Sequence, residues 1–240
     1  MAYNLNNKLV IAISSRALFD LEEENQIFEK DGLDAYYKYQ LENEDKSLKK
    51  GTGYRLVENI LKINSFFSSD ERQVEVIILS KNNAATSLRI TNAINDLKLD
   101  IIRSAWTSGT NISNYLKAFK VDLFLSADDN DVLNAIENGV AAAKILHSNE
   151  NIHNISNEQV RIAFDGDAVL FSEESELVYK NHGLEAFIEH EKENRNNPLE
   201  MGPFAKLLLT IAKIQAKFPT DKSPIRTALV TARSAPTHER

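Results

Sequence analysis

The chain has 240 residues, 42% hydrophobic and 26% charged, which excludes disordered and collagen-like classes and leaves room for one large or two small domains. A net charge of −7, with only Lys46, Lys49 and Lys50 as a short basic cluster, argues against a nucleic acid polymer as partner. The absence of cysteine excludes disulfides, thiol catalysis and cysteine-bound metals. Met1 to Lys8 is polar, without the apolar core of a signal peptide, and no run of about 18 apolar residues occurs. The expected address is cytoplasmic, with no membrane partner.

Taken in chain order, short β-branched runs alternate with helical patterns. Leu9 to Ile13 predicts a buried strand, followed by the acidic run Asp20 to Glu24 as a solvated helix start. Val74 to Leu79 and Val121 to Leu125 predict further strands. Val132, Ala135, Ile136, Val140 and Ala143 predict one helix face, and Trp106 is expected in the core. His147 to Glu158 is polar and Asn-rich and reads as a connection. Ile162 to Phe164 and Thr227 to Val230 are strands again. Leu184, Phe187 and Ile188 start one helix, and Phe204, Leu207, Leu208 and Ile211 mark another. Continuous apolar strands between amphipathic helices imply a parallel sheet covered on both faces. Ligands then sit at the carboxyl ends of the strands.

An internal repeat organises the chain. Arg16 to Asp20 resembles Ala168 to Ser172, Gly32 to Tyr36 resembles Gly183 to Phe187, and Ile78 to Thr86 resembles Leu229 to Thr237. The offsets are 152, 151 and 151. The expected organisation is a first unit over residues 1–150 and a second over 151–240. The second stops where the first has completed about half its pattern.

The strongest chemical signal is Arg161-Ile-Ala-Phe-Asp165-Gly166-Asp167-Ala-Val169. An apolar strand runs into two acids one residue apart, and glycine between them lets both carboxylates converge. Such a pair can hold Mg²⁺ through hard oxygens, attack phosphorus and shuttle a proton. Asp-Gly-Asp after a strand is also a common polar turn. The repeat sets Ile13, Ser14 and Ser15 opposite this triplet, so the fold does not require acids there. Thr231, at the end of the strand Thr227 to Val230, can donate to a phosphate oxygen with neighbouring main-chain N–H groups, or cap a helix; Ser80 holds the same place in the first copy. Lys117, Asp128 and Asp129 flank the strand Val121 to Leu125 and read as a surface lysine and a helix cap. The five histidines, at 147, 153, 182, 190 and 238, lack metal-binding spacing.

The order of strand with Asp-x-Asp, strand with Thr or Ser, Lys, then Asp-Asp resembles that of haloacid-dehalogenase-like (HAD-like) phosphohydrolases. The longer words Phe164 to Ser172, Thr231 to Ala235 and Ser14 to Phe19, with Gly202-Pro203 and Asn197-Pro198-Leu199, resemble the cytosolic type I 5′-nucleotidases over nearly the whole chain. The resemblance implies an α/β fold of two related Rossmann-like, HAD-like three-layer units with parallel sheets, the second incomplete. It implies Mg²⁺-dependent hydrolysis of nucleoside 5′-monophosphates such as AMP. By motif, Asp165 is then the nucleophile that forms an aspartyl-phosphate, and Asp167 the acid and base. Thr231 and Ala232 bind phosphate, and Asp165 and Asp167 hold the metal. The family's lysine and Asp-Asp pair would fall near 268 and 279, so the chain reads as the N-terminal part of a longer enzyme. The alternative is a non-catalytic nucleotide- or phosphate-binding module. Oligomeric state, a homo-oligomer included, is left open.

Overall fold

The computed structural model describes residues 4–147, 159–231, 233 and 237. The chain divides into two compact units, Met1–Glu158 and Gln159–Arg240.

The first unit is built on a five-stranded parallel sheet of order β5-β4-β1-β6-β7. Its strands are β1 (Leu9–Ile13), β4 (Val74–Ser80), β5 (Arg103–Trp106), β6 (Leu123–Ser126) and β7 (Ala142–Lys144). Every residue of β1 and β4 is buried, because helices cover both sides of the sheet and leave no polar face. On one side Val10, Ala12, Ile77 and Leu79 pack with Leu116 of α5 (Ser113–Ala118) and Ala135 of α6 (Asp129–Glu137). Leu9, Ile11 and Ile13, which alternate with them, are equally buried. The one-turn α1 (Ser15–Leu18) leads into β2 (Phe19–Asp20), which pairs antiparallel with β3 (Lys49–Lys50). Helix α2 (Glu22–Glu42) lies between those strands and is broken at Gly32, whose φ of 84° is open to glycine at little cost. Two further helices, α3 (Tyr54–Lys62) and α4 (Leu88–Asp96), flank β4 in sequence.

Several expectations change here. Helix α6 ends at Glu137 because Gly139 turns at φ 75°, so Val140 follows the helix and Ala143 belongs to β7. Glu24 is not a solvated acid: it is buried and pairs with Arg89 at 2.5 Å. Lys49 and Lys50 of the short basic cluster form the strand β3, with Lys50 Nζ 4.2 Å from the Tyr54 ring centre. Trp106 is half-buried.

The second unit repeats the first half of this plan. Strands β8 (Val160–Asp165) and β9 (Ile225–Val230) pair in parallel, Val160 opposite Ile225, as Leu9 stands opposite Val74. Helix α7 (Glu174–Glu193) starts well before Leu184 and breaks at Gly183, φ 81°, the counterpart of Gly32. Helix α8 (Ala205–Gln215) buries Leu207, Ile211 and Ile214. Edge-to-face ring pairs recur as well, Phe28 with Tyr36 at 5.9 Å and Tyr179 with Phe187 at 6.2 Å. Gly51 N donates to Leu18 O at 2.9 Å, and Gly202 N to Leu170 O at 2.8 Å. Among the described residues β8 and β9 form a two-stranded sheet, and Leu229 and Val230 are exposed.

The strand register corrects the alignment at one point. Val160 replaces Leu9 and Ile225 replaces Val74, so Ser14, not Ile13, occupies the place of Asp165. Ser14 (φ −73°, ψ 153°) and Asp165 (φ −70°, ψ 146°) share a conformation. Past that point the second unit carries one extra residue. Phe19 N bonds back four residues to Ser15 O, whereas Phe171 N bonds back five to Gly166 O. The insertion makes a wider, π-type turn, a form that clusters at functional sites.

Candidate active site

Asp165 is the last residue of β8, at the carboxyl end of a parallel sheet where α/β folds place their ligands. Its carboxylate is exposed and makes no hydrogen bond or ion pair among the described residues. The turn Gly166–Leu170 follows. Its bend does not come from glycine: a Cβ on Gly166 would meet only ordinary contacts at 3.6 Å. The left-handed residue is Ala168, φ 57°, which carries strain that alanine tolerates poorly.

The two acids meet different surroundings. Asp167 is gripped by Arg233, with Nε 2.9 Å from Oδ1 and 3.1 Å from Oδ2, and Nη2 2.5 Å from Oδ1. The same guanidinium donates through Nη1 to Glu191 Oε2 and to Thr237 O at 3.3 Å. Its carbon lies 5.6 Å from the Phe187 ring centre. Arg233 is 7% exposed, Glu191 0% and Asp167 24% by side chain. The planar fork suits two carboxylates at once, which a lysine could not hold in the same geometry. Glu191 also accepts from Ser175 Oγ at 2.7 Å and lies 3.2 Å from His190 Nδ1, while His190 Nε2 is 3.3 Å from Glu174. Burial pushes the Glu191 carboxyl up, but the Ser175 hydroxyl and the Arg233 guanidinium outweigh it and hold it below the usual range. Burial lowers Arg233 too, but Asp167 and Glu191 raise it above its ordinary value.

Thr231 follows β9 beside this turn: its Cβ is 3.6 Å from where a Gly166 side chain would begin, and its Oγ1 accepts from Arg233 N at 3.1 Å. The structure therefore brings Thr231, Gly166, Asp167 and Arg233 together at the ends of β8 and β9. Ala232 lies outside the described residues, as do His153 and His238. Arg233 and Glu191 carried no signal of their own in the sequence. The one signal that would have raised them is the repeat: at its offset of 151, Glu191 falls where Gln40 stands and Arg233 where Asn82 stands.

The first-unit candidates do ordinary work. Asp128 caps α6, its carboxylate accepting from Asp131 N at 3.0 Å. Asp129 pairs with Lys144 at 2.7 Å. Lys117 is exposed on the last turn of α5. Among the described residues no cluster of three or more His, Asp or Glu side chains is positioned to hold a metal.

The whole chain, residues 1–240, matches the family model described as 5′-nucleotidase. It is similar to the Homo sapiens protein named cytosolic 5′-nucleotidase 1B, with 36% identity over 237 residues, 95% of this chain. The chain spans 39% of that relative's length. No helix among the described residues is long and apolar enough to cross a membrane.

Proposed function

The chain belongs to the 5′-nucleotidase family, and from that premise we propose that its second unit hydrolyses nucleoside 5′-monophosphates, AMP among them, through an aspartyl-phosphate on Asp165. The observation that carries the reading is the division of labour between the two acids. Asp165 stands unpaired at the strand end, as a nucleophile must. Asp167, one turn on, is held at a fixed angle by Arg233.

In this reading the Asp165 carboxylate attacks phosphorus, the P–O5′ bond breaks, and Asp167 gives a proton to the leaving nucleoside oxygen. Asp167 then takes a proton from the water that releases phosphate from Asp165. Thr231 Oγ1 and the main chain at Ala232 bind the phosphoryl oxygens. The described donors fit Mg²⁺ in kind: Asp165 offers a free carboxylate and Asp167 a main-chain carbonyl, both hard oxygens. The ion would supply charge neutralisation on the transferring group. Two donors are few, and Mg²⁺ keeps several waters in such sites, so weak binding to this chain is expected. The cytosolic location in the relative's name is proposed here too.

A second reading, a nucleotide-binding module without hydrolysis, draws on the engagement of the Asp167 carboxylate by Arg233 and on the small donor set. Phosphate release from a panel of nucleoside monophosphates and sugar phosphates, with and without Mg²⁺, separates the two. Hydrolysis abolished by Asp165→Asn supports the first reading. Nucleotide binding with no release in either protein supports the second.

A further inference from the structure

The first unit holds a cavity of about 670 Å³ at the carboxyl ends of β1, β4 and β6, a size that takes a small ligand. We propose that this cavity binds a nucleoside monophosphate and does not hydrolyse it.

Its two sides differ chemically. The polar side comes from residues that follow the strands. Ser15 Oγ lies 3.0 Å from Ser80 Oγ, which donates to Asn82 Oδ1 at 2.6 Å. The cations Arg16 and Lys81 line the same cavity. Arg16 is half-buried and committed only to Glu22, at 3.2 Å, and its buried Nε has no hydrogen-bond partner among the described residues. Lys81 is paired with Asp131 at 2.6 Å but is 44% exposed, and an ammonium has three protons to donate. Two cations beside a hydroxyl cluster suit a phosphate dianion. The other side comes from α2, where Phe28, Leu33 and Tyr36 present ring and aliphatic surface. A flat base would cover it, whereas inorganic phosphate would leave it wet.

Tyr36 joins the two sides and has a proton to give. Its hydroxyl oxygen accepts from Asn82 Nδ2 at 2.8 Å and from Gln40 Nε2 at 3.0 Å, which uses both lone pairs. Its own O–H finds no acceptor among the described residues. Burial pushes this phenol above its ordinary pKa, so it stays a donor at neutral pH.

The same cavity lacks the means to cleave a phosphoester. Ser14 stands where Asp165 does, and its Oγ accepts from Ala17 N at 3.3 Å. Neither Ser15 nor Arg16 offers a carboxylate in the next turn. Among the described residues four acids line the cavity and each has a partner: Glu24 pairs with Arg89, Asp131 with Lys81, Asp128 caps a helix, and Glu29, on α2 with the apolar side, accepts from Asn25 Nδ2 at 2.9 Å.

The test is photolabelling of the full chain with 8-azido-AMP, followed by peptide mapping. Label is expected on peptides carrying Phe28 to Tyr36 or Lys81 to Thr86. It should persist in Asp165→Asn, so its fate is separable from that of the hydrolysis reading. AMP should compete better than adenosine or inorganic phosphate. Arg16→Ala and Lys81→Ala should each weaken labelling about tenfold, the loss of one charge-assisted contact, with thermal melting checked in parallel. Tyr36→Phe, which keeps the ring, should weaken it by less. Label confined to the second unit overturns the proposal. So does first-unit label indifferent to both cation variants, or displaced equally well by phosphate alone. If a variant fails to fold, the position of the label on the unaltered chain decides.

Discussion

Replacing Arg233 by alanine tests the centre of the candidate active site. The substitution removes the cation between Glu191, fully buried, and Asp167, 24% exposed. Breaking a buried ion pair from one side costs about 3–5 kcal/mol, because the remaining charge is left uncompensated. Glu191 keeps the Ser175 hydroxyl at 2.7 Å and the His190 ring, so the low end, about 3 kcal/mol, is expected. At a urea slope of about 1–3 kcal/mol/M the second unit should then unfold about 1–3 M earlier. The two units allow an internal control. Trp106, the chain's one tryptophan, lies on β5 of the first unit, so its fluorescence follows that unit while far-UV circular dichroism follows both. Arg233→Ala should move the dichroism transition and leave the tryptophan transition in place. Arg233→Lys should recover part of the stability but not the angle of Asp167, so phosphate release should stay low. Unchanged dichroism in Arg233→Ala, or full activity in Arg233→Lys, would refute the argument that this guanidinium organises the site.

Glu191 has a folded pKa below its unfolded value, so its contribution to stability is present above the ordinary carboxylate pKa and is lost as pH falls through the lowered one. Glu191→Gln should therefore flatten the acid limb of the second unit's stability profile, and an unchanged limb would assign that limb to other carboxylates. Asp165→Asn should abolish phosphate release, since an amide cannot form the acyl-phosphate, and Asp167→Asn should lower it about 10²–10⁴-fold; normal turnover by Asp165→Asn would sink the assignment. Asp128→Asn and Asp129→Asn should barely change that rate, because one caps α6 and the other pairs with Lys144 on the surface; loss of activity in a folded variant would mean that the first unit contributes to the hydrolytic site. A Cβ at Gly202 would lie 2.3 Å from the main chain of Phe171, and one at Gly51 2.7 Å from that of Phe19. Gly202→Ala and Gly51→Ala should thus each destabilise their own unit, readable by the same two probes, and a neutral result for both would count against the shared turn.

The sequence by itself determined five strands, β1, β4, β6, β8 and β9, with the repeat and the candidate acid pair, whereas β2, β3, β5 and β7, of two to four residues each, carry no apolar run long enough to read. Strands β1 and β4 are buried along their whole length, so Leu9 to Ile13 and, apart from Glu75, Val74 to Leu79 read as apolar runs, and turn chemistry follows where they stop. The glycines Gly32 and Gly183 were legible as a matched pair of the repeat, and the structure shows why glycine recurs there: each breaks a helix at a positive φ, which glycine meets cheaply. Boundaries set by a neighbour were less legible. Val140 and Ala143 continue the apolar pattern of α6, yet Ala143 pairs with Leu125 in the sheet once Gly139 has turned the chain. Only the tertiary structure decided the rest. Strand pairing, not residue similarity, sets Ser14 in the place that Asp165 holds in the second unit, because hydrogen-bond register fixes each residue's partner, whereas similarity tolerates a one-residue slip. The grip of Arg233 on Asp167 and Glu191 spans 66 and 42 residues of chain. Such a contact leaves no local pattern: it exists because the ends of β8, α7 and β9 converge, and burial there makes a lone charge too costly to leave unpaired.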